Sequence, residues 1–138
     1  MGIVSFGKIG QAIAERARGF GVELMVYDPY ISQSSIEKMG CRPVNKETLI
    51  RESDFLMMQA PMTEETHHFL SFNEFKLMKS NAIVINTGRG PTIDNKALYQ
   101  ALTQQEIAAA GLDDPEEEPA KRSSWDPKHN PIFSLSNV

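Results

Sequence analysis

The sequence predicts an α/β fold, a doubly wound parallel sheet with helices on both faces. Two observations carry that prediction. Apolar runs of strand length recur along the chain, rich in β-branched and large apolar residues and without period-two alternation, as strands covered on both faces require. Between them stand segments whose apolar residues are spaced three or four apart, so that strand and helix alternate and imply βαβ units. Crossovers in such units are right-handed, and ligands bind beyond the carboxyl ends of the strands.

The first strand is read in "MGIVSF" (1–6) and the next in "VELMVY" (22–27). Between them Ile9, Ile13, Ala17 and Phe20 line one face of a helix that closes on Gly21 as C-cap. "CRPV" (41–44) is a short strand-like stretch in which Cys41 is expected to be buried and inert. "DFLMMQ" (54–59) is a further strand, with Met57 and Met58 read as core fillers. "SFNEFKLM" opens a helix with Ser71 and, three residues on, Glu74, which together form a capping box. "AIVIN" (82–86) is the next strand. It leads to "DNKALYQALTQQ", where Asp94 is the N-cap and Ala97, Leu98, Ala101 and Leu102 share a face. "IAAAGL" (107–112) is the last run. From Asp113 onward the chain is Pro- and charge-rich and aperiodic, a long connection of the functional kind, with Trp125 packing on the domain or a neighbour. The closing "LSNV" reads as the approach to another strand, and the sequence opens directly on a strand. Both ends suggest an incomplete domain, residues 1–138, cut from a larger protein.

Composition sets the outer limits. The chain has 138 residues, 41% hydrophobic and 23% charged, with a formal net charge of −4, which suits one globular domain and gives no basic field for nucleic acid or anionic lipid. Cys41 is the sole cysteine, so neither a disulfide framework nor a thiolate metal cluster is expected, and no metal site is assigned. No apolar run approaches the ~20 residues that span a bilayer, and no signal peptide is recognisable. A cytoplasmic setting is the expectation.

The loop "SFGKIG" ends the first strand and opens the first helix. Glycines there let the backbone present N–H groups to an anion at the positive end of the helix. In the dinucleotide fingerprint G-x-G-x-x-G the second glycine admits the pyrophosphate and the third lets helix and strand pack closely; Gly7 and Gly10 occupy those places, while Ser5 replaces the first glycine. Serine suits that turn if φ is negative, and a left-handed backbone would cost about 1 kcal/mol. "VYDPY" places Asp28 eighteen residues after Gly10, where an acid accepts hydrogen bonds from both adenosine ribose hydroxyls and repels a 2′-phosphate. NAD is therefore expected over NADP.

"AIVINTGRGP" (82–91) ends a buried strand by delivering Arg89 between Gly88 and Gly90. With "GIVSFGKIGQAIAERARGFG", "VYDPY", "APMTEETHHFL", "NTGRGPTIDNKALYQAL" and "AAGLDDPEEEP" in order along the chain, the sequence resembles the D-isomer-specific 2-hydroxyacid dehydrogenases, whose cofactor domain is Rossmann-like. Its tail looks most like the phosphoglycerate dehydrogenase and C-terminal-binding-protein-like branch. The resemblance implies an oxidoreductase that interconverts a D-2-hydroxy acid and its 2-keto acid by hydride transfer. It gives Arg89 the substrate carboxylate and keto oxygen, a task for which a planar guanidinium fork is suited, with Gly88 and Gly90 expected to let cofactor and substrate come close. Glu118 would pair with the catalytic histidine, and Asp113 would hold the nicotinamide carboxamide. Lys8 and Ile9 would offer amides to the pyrophosphate, Ala60 and Pro61 would lie against the adenine, Thr66 would touch a phosphate or ribose, and Thr87 with Gly88 would border the nicotinamide ribose. The full-length protein is expected to be a homodimer.

The family's catalytic histidine follows "NV" by a few residues in a T-P-H motif, beyond Val138. His67 and His68 are read as plain surface residues, His129 precedes the final expected strand, and Glu116 and Glu117 are read as solvated. Residues 1–138 alone are therefore expected to be inactive. Two other readings stand beside this one: an NAD-responsive regulatory module of the C-terminal-binding-protein type, and a domain that Ser5 and the missing strand leave without cofactor.

Overall fold

The computed structural model describes residues 1–116 and 130–138. Six strands, β1 (Gly2–Val4), β2 (Met25–Tyr27), β3 (Arg42–Pro43), β4 (Phe55–Met58), β5 (Ile83–Asn86) and β6 (Ala109–Leu112), form one sheet in the order β3-β2-β1-β4-β5-β6. All five pairings are parallel. The chain builds outward from β1 to β3, then returns to the centre and builds outward again from β4. The order therefore reverses between β1 and β4, and a crevice opens there beyond the carboxyl ends.

Helices α1 (Lys8–Ala17), α2 (Gln33–Lys38), α3 (Lys46–Glu52), α4 (Phe72–Leu77) and α5 (Asn95–Thr103) link the strands. Alternate strand residues feed two cores. Val4, Met25, Leu56, Met58 and Val84 join Leu49, Ile50, Phe75, Leu98 and Leu102 of α3, α4 and α5. Ile3 and Val26 face the other way and join Ala14 and Ala17 of α1, Ile36 of α2 and Cys41. Burial on both faces is why these strands read as continuous apolar runs.

The expected caps form. Asp94 accepts from the N–H groups of Lys96 and Ala97, Ser71 and Glu74 form the capping box, and Gly21 closes the first helical segment with φ +68°. Ala97, Leu98, Ala101 and Leu102 are all buried, as is Cys41, whose thiol is pushed up in pKa by burial against the opposing pull of Arg18.

One local expectation fails. The buried face of α1 is Gly10, Ala14 and Ala17, whereas Ile9 is 61% and Phe20 84% exposed. Phe20 lies in a 3-10 turn, Arg18–Phe20, that follows the last α-helical residue. The tighter turn rotates it off the buried stripe. Small residues at the remaining positions let the α1 backbone lie close to the sheet. After a 3-10 turn at Pro131–Ser134 the closing residues come to the outer edge of β6, where Asn137 O accepts from the Ala110 N–H at 3.0 Å.

Candidate functional site

Two adjoining hollows occupy the crevice, and Ser5, Ala60 and Pro61 line both. One is walled by Tyr27, Asp28, Tyr30, Thr66 and Phe69. The other runs past Gly7, Lys8, Ile9 and Gly10 to Thr87, Gly88 and Arg89. The fold thus brings the glycine loop, the acid after β2 and the arginine after β5 to one place, although they lie far apart in sequence.

Ser5 has φ +73°, so the turn does demand a left-handed residue. Its N–H donates to Tyr27 O at 2.9 Å, which keeps the turn in line with the sheet. A Cβ on Gly10 would sit 2.4 Å from Ser5 O, whereas one on Gly7 would meet nothing within 4 Å. Gly10 is therefore fixed by helix-to-strand contact, and the space above Gly7 is open to a ligand. Gly7 is also the N-cap of α1 and supplies no side-chain acceptor, so the first amides of α1 lack intrahelical partners and face the cleft.

Asp28 does more than the sequence suggests. Its Oδ2 accepts from the Phe6 N–H at 2.7 Å, and its Oδ1 accepts from Tyr30 N–H at 2.8 Å and Ile31 N–H at 3.2 Å. An ionised carboxylate has roughly four lone-pair directions; three are taken, which leaves one for a ligand hydroxyl rather than two. Tyr30 and Glu65 meet at the rim through a 2.5 Å hydrogen bond that raises the Tyr30 pKa. Thr66 is committed to its own loop: its hydroxyl donates to Pro61 O at 2.6 Å and accepts from Thr63 N–H at 2.8 Å.

The turn that carries Arg89 is held by two side chains that sequence reasoning missed. Asn86, 1% exposed, donates to Arg89 O at 3.1 Å and accepts from Gly88 N–H at 3.0 Å. Thr92, 0% exposed, donates to the same carbonyl at 2.6 Å. The signal was an Asn at the strand end followed by a glycine turn, where Asx hydrogen bonding is common. Arg89 itself is exposed, with Nη1 donating to Gly88 O at 3.0 Å.

Gly88 and Gly90 also answer to the packing of the chain itself. A Cβ on Gly88 would lie 3.0 Å from Ala60 O, and one on Gly90 would lie 2.4 Å from the Pro115 carbonyl carbon. Their bareness lets backbone pack on backbone.

Beyond β6, Asp113 is exposed and its N–H donates to Asn86 O at 3.0 Å. Glu118, with Glu117, Trp125 and His129, lies outside the described residues. Neither Glu116 nor His68 is a solvated bystander: Glu116 Oε1 lies 2.7 Å from His68 Nε2, and Oε2 accepts from the Asn95 N–H at 3.1 Å. The two are separated by 48 residues in sequence, which is why local reading treated both as surface groups.

This assembly of cleft, acid and arginine has clear relatives. The family model described as D-isomer specific 2-hydroxyacid dehydrogenase, NAD binding domain, matches residues 1–138. The chain belongs to that family. It is 50% identical to the glyoxylate reductase of Thermococcus litoralis across the whole chain, which corresponds to 40% of that protein. It is 42% identical to the D-3-phosphoglycerate dehydrogenase of Methanocaldococcus jannaschii, covering 25% of it. The NAD-complexed D-isomer specific 2-hydroxyacid dehydrogenase of Lactobacillus delbrueckii ssp. bulgaricus superposes with a TM-score of 0.89 at 27% identity, over 99% of this chain and 43% of that one. D-lactate dehydrogenase with NAD+ from Lactobacillus jensenii superposes with a TM-score of 0.86 at 30% identity, over 99% and 43%. The chain therefore spans about two fifths or less of the length of these relatives.

As the NAD-binding domain of a D-isomer-specific 2-hydroxyacid dehydrogenase, the chain has the strand order in which the crevice at the β1/β4 reversal takes a dinucleotide. The relatives named are reductases and dehydrogenases, and nothing in them supports the regulatory alternative. Among the described residues no helix is long and apolar enough to cross a membrane.

Proposed function

We propose that this domain seats NAD(H) along the crevice and serves an oxidoreductase that interconverts a D-2-hydroxy acid and its 2-keto acid. One observation carries the reading: the hollow that begins at the open glycine loop ends at Arg89. An anion site and a guanidinium fork thus share one cleft, as a reaction between a dinucleotide and a small carboxylate demands.

In this reading the amides of Lys8 and Ile9 hold the pyrophosphate over Gly7, where the space is open and the helix dipole favours negative charge. Gly10 keeps α1 close enough for that contact. Asp28 accepts one ribose hydroxyl and opposes a 2′-phosphate, while Ala60 and Pro61 cover the adenine and Thr66 shapes the loop beside it. Thr87 and Gly88 border the nicotinamide ribose, and Asp113 holds the carboxamide. Arg89 binds the substrate carboxylate and steadies the keto oxygen; Glu118 supports the general acid. When bound, the nicotinamide supplies or accepts the hydride.

Calorimetric titration with NADH, and with NADPH as control, tests the cofactor half. Saturable binding with NADH preferred is expected, and no binding by the folded chain would refute it. The substrate half is tested by titrating oxalate, a small two-carboxylate probe, into the NADH-loaded chain and its Arg89→Lys variant. Lysine keeps the charge and loses the fork, so weaker binding by the variant is expected. Equal binding would remove Arg89 from the site.

A further inference from the structure

We infer that His68 is a positioning residue that fixes the loop after β6 against the cleft. The inference rests on the reading of Arg89 and Asp113 as the substrate and nicotinamide end of that cleft. Neither His68 nor Glu116 lines either hollow, so any influence passes through other groups.

His68 is held at three points. Its Nε2 lies 2.7 Å from Glu116 Oε1, its Nδ1 lies 3.6 Å from Asp94 Oδ2, and its N–H donates to Pro91 O at 2.9 Å. From the loop after β4, His68 thus reaches the loop after β5 through its backbone, and the N-cap of α5 and the loop after β6 through its ring. Its backbone is left-handed, with φ +49°. Glu116 in turn spends its second oxygen on the Asn95 N–H.

The segment 113–116 is consequently tied at both ends: Asp113 N–H bonds to Asn86 O on β5, and Glu116 bonds to His68 and α5. Between those ties, Gly90 packs directly on Pro115 and Glu116. Arg89 is the neighbour of that contact. Removal of the His68 ring would leave the Glu116 carboxylate with the Asn95 amide as its remaining partner and loosen one end of the segment. The stacked His67 ring, 3.9 Å from His68 between centroids, could join His68 and Glu116 in offering atoms to a cation, since all lie within 4.8 Å. Glu116 already has His68 and the Asn95 amide as partners, so the hydrogen bonds alone account for the geometry.

The test titrates the whole chain with NADH and with ADP-ribose, which lacks the nicotinamide, in buffer containing EDTA. Loss of one hydrogen-bonded pair corresponds to about two- to tenfold in affinity. His68→Ala and Glu116→Ala should each weaken NADH by that factor and ADP-ribose by less than about twofold. The double variant should be no worse than the worse single one. His68→Gln, which keeps a donor for Glu116, should restore most of the loss. Equal losses for both ligands, no loss for either, or additive effects would overturn the inference. Amide hydrogen exchange of Asp113 and Asn95 in the unliganded chain supplies a readout without cofactor: faster exchange in His68→Ala is expected, and unchanged exchange overturns the inference. Failure of the wild-type chain to bind NADH would refute the functional reading instead, and exchange would still decide the role of His68.

Discussion

Replacement of Ser5 by glycine should stabilise the domain. Ser5 is left-handed at φ +73°, and that conformation costs an L-residue about 1–2 kcal/mol because Cβ crowds the following carbonyl oxygen. Glycine removes the crowding and returns part of the gain, about 0.5–1 kcal/mol, because it frees the unfolded chain. The net gain is about 0.5–1 kcal/mol, which for 138 residues corresponds to a rise in Tm of about 2–3 °C. The assay is thermal unfolding by calorimetry, with Ser5→Ala as the companion variant that keeps Cβ and should show no rise. A Tm for Ser5→Gly at or below that of the wild type would refute the strain argument, as would an equal rise in Ser5→Ala.

Four further outcomes follow from the same geometry. Asp28→Asn keeps an acceptor but removes the charge, so NADH should bind more weakly and the gap to NADPH should narrow in calorimetric titration. Asp28→Ala should in addition lower stability by about 1–3 kcal/mol, since three backbone amides lose their acceptor. Thr92→Val removes a fully buried donor to Arg89 O and should cost about 1–3 kcal/mol in urea unfolding. Burial opposes ionisation of Glu74 and Asp94, yet Lys46 and the Ser71 amide hold Glu74 below the usual carboxylate range, and the Ala97 amide, Ser71 and His68 do the same for Asp94. Stability from both is present above the unfolded pKa of about 4 and is lost as pH falls through the lower folded values; a urea midpoint that stays flat between neutral pH and pH 3 would contradict this.

The architecture was legible because its determinants are local. Five apolar runs became five strands, and the caps at Ser71 and Asp94 were visible as residue types at fixed offsets. What failed locally was the helix face, because Phe20 was placed by a helical period beyond the residue where the helix tightens. At the site, residue type located Gly7, Gly10, Asp28 and Arg89, yet their loads were not legible. The three amides on Asp28 come from two separate loops, the backbone behind Gly90 arrives from residues 115 and 116, and the partner of His68 lies 48 residues away. Long-range pairings of this kind leave no periodic trace. A glycine that admits a ligand and a glycine that admits backbone are spelled the same.

Charge also has to be placed in space before it can be interpreted. The chain carries −4 overall, which taken alone argues against an anionic ligand, whereas one arm of the cleft gathers Lys8, Arg89 and the amino end of α1. The amino end of α1 opens into it without a side-chain cap, Lys8 stands beside that end, and Arg89 makes no ion pair with any carboxylate among the described residues. Acids in and around the cleft accept hydrogen bonds: Asp28 from backbone amides, Glu65 from the Tyr30 hydroxyl, Glu116 from an amide with His68 beside it, and Asp94 from the α5 N-terminus. A cleft built this way draws a small polyanion such as a dinucleotide to one seam.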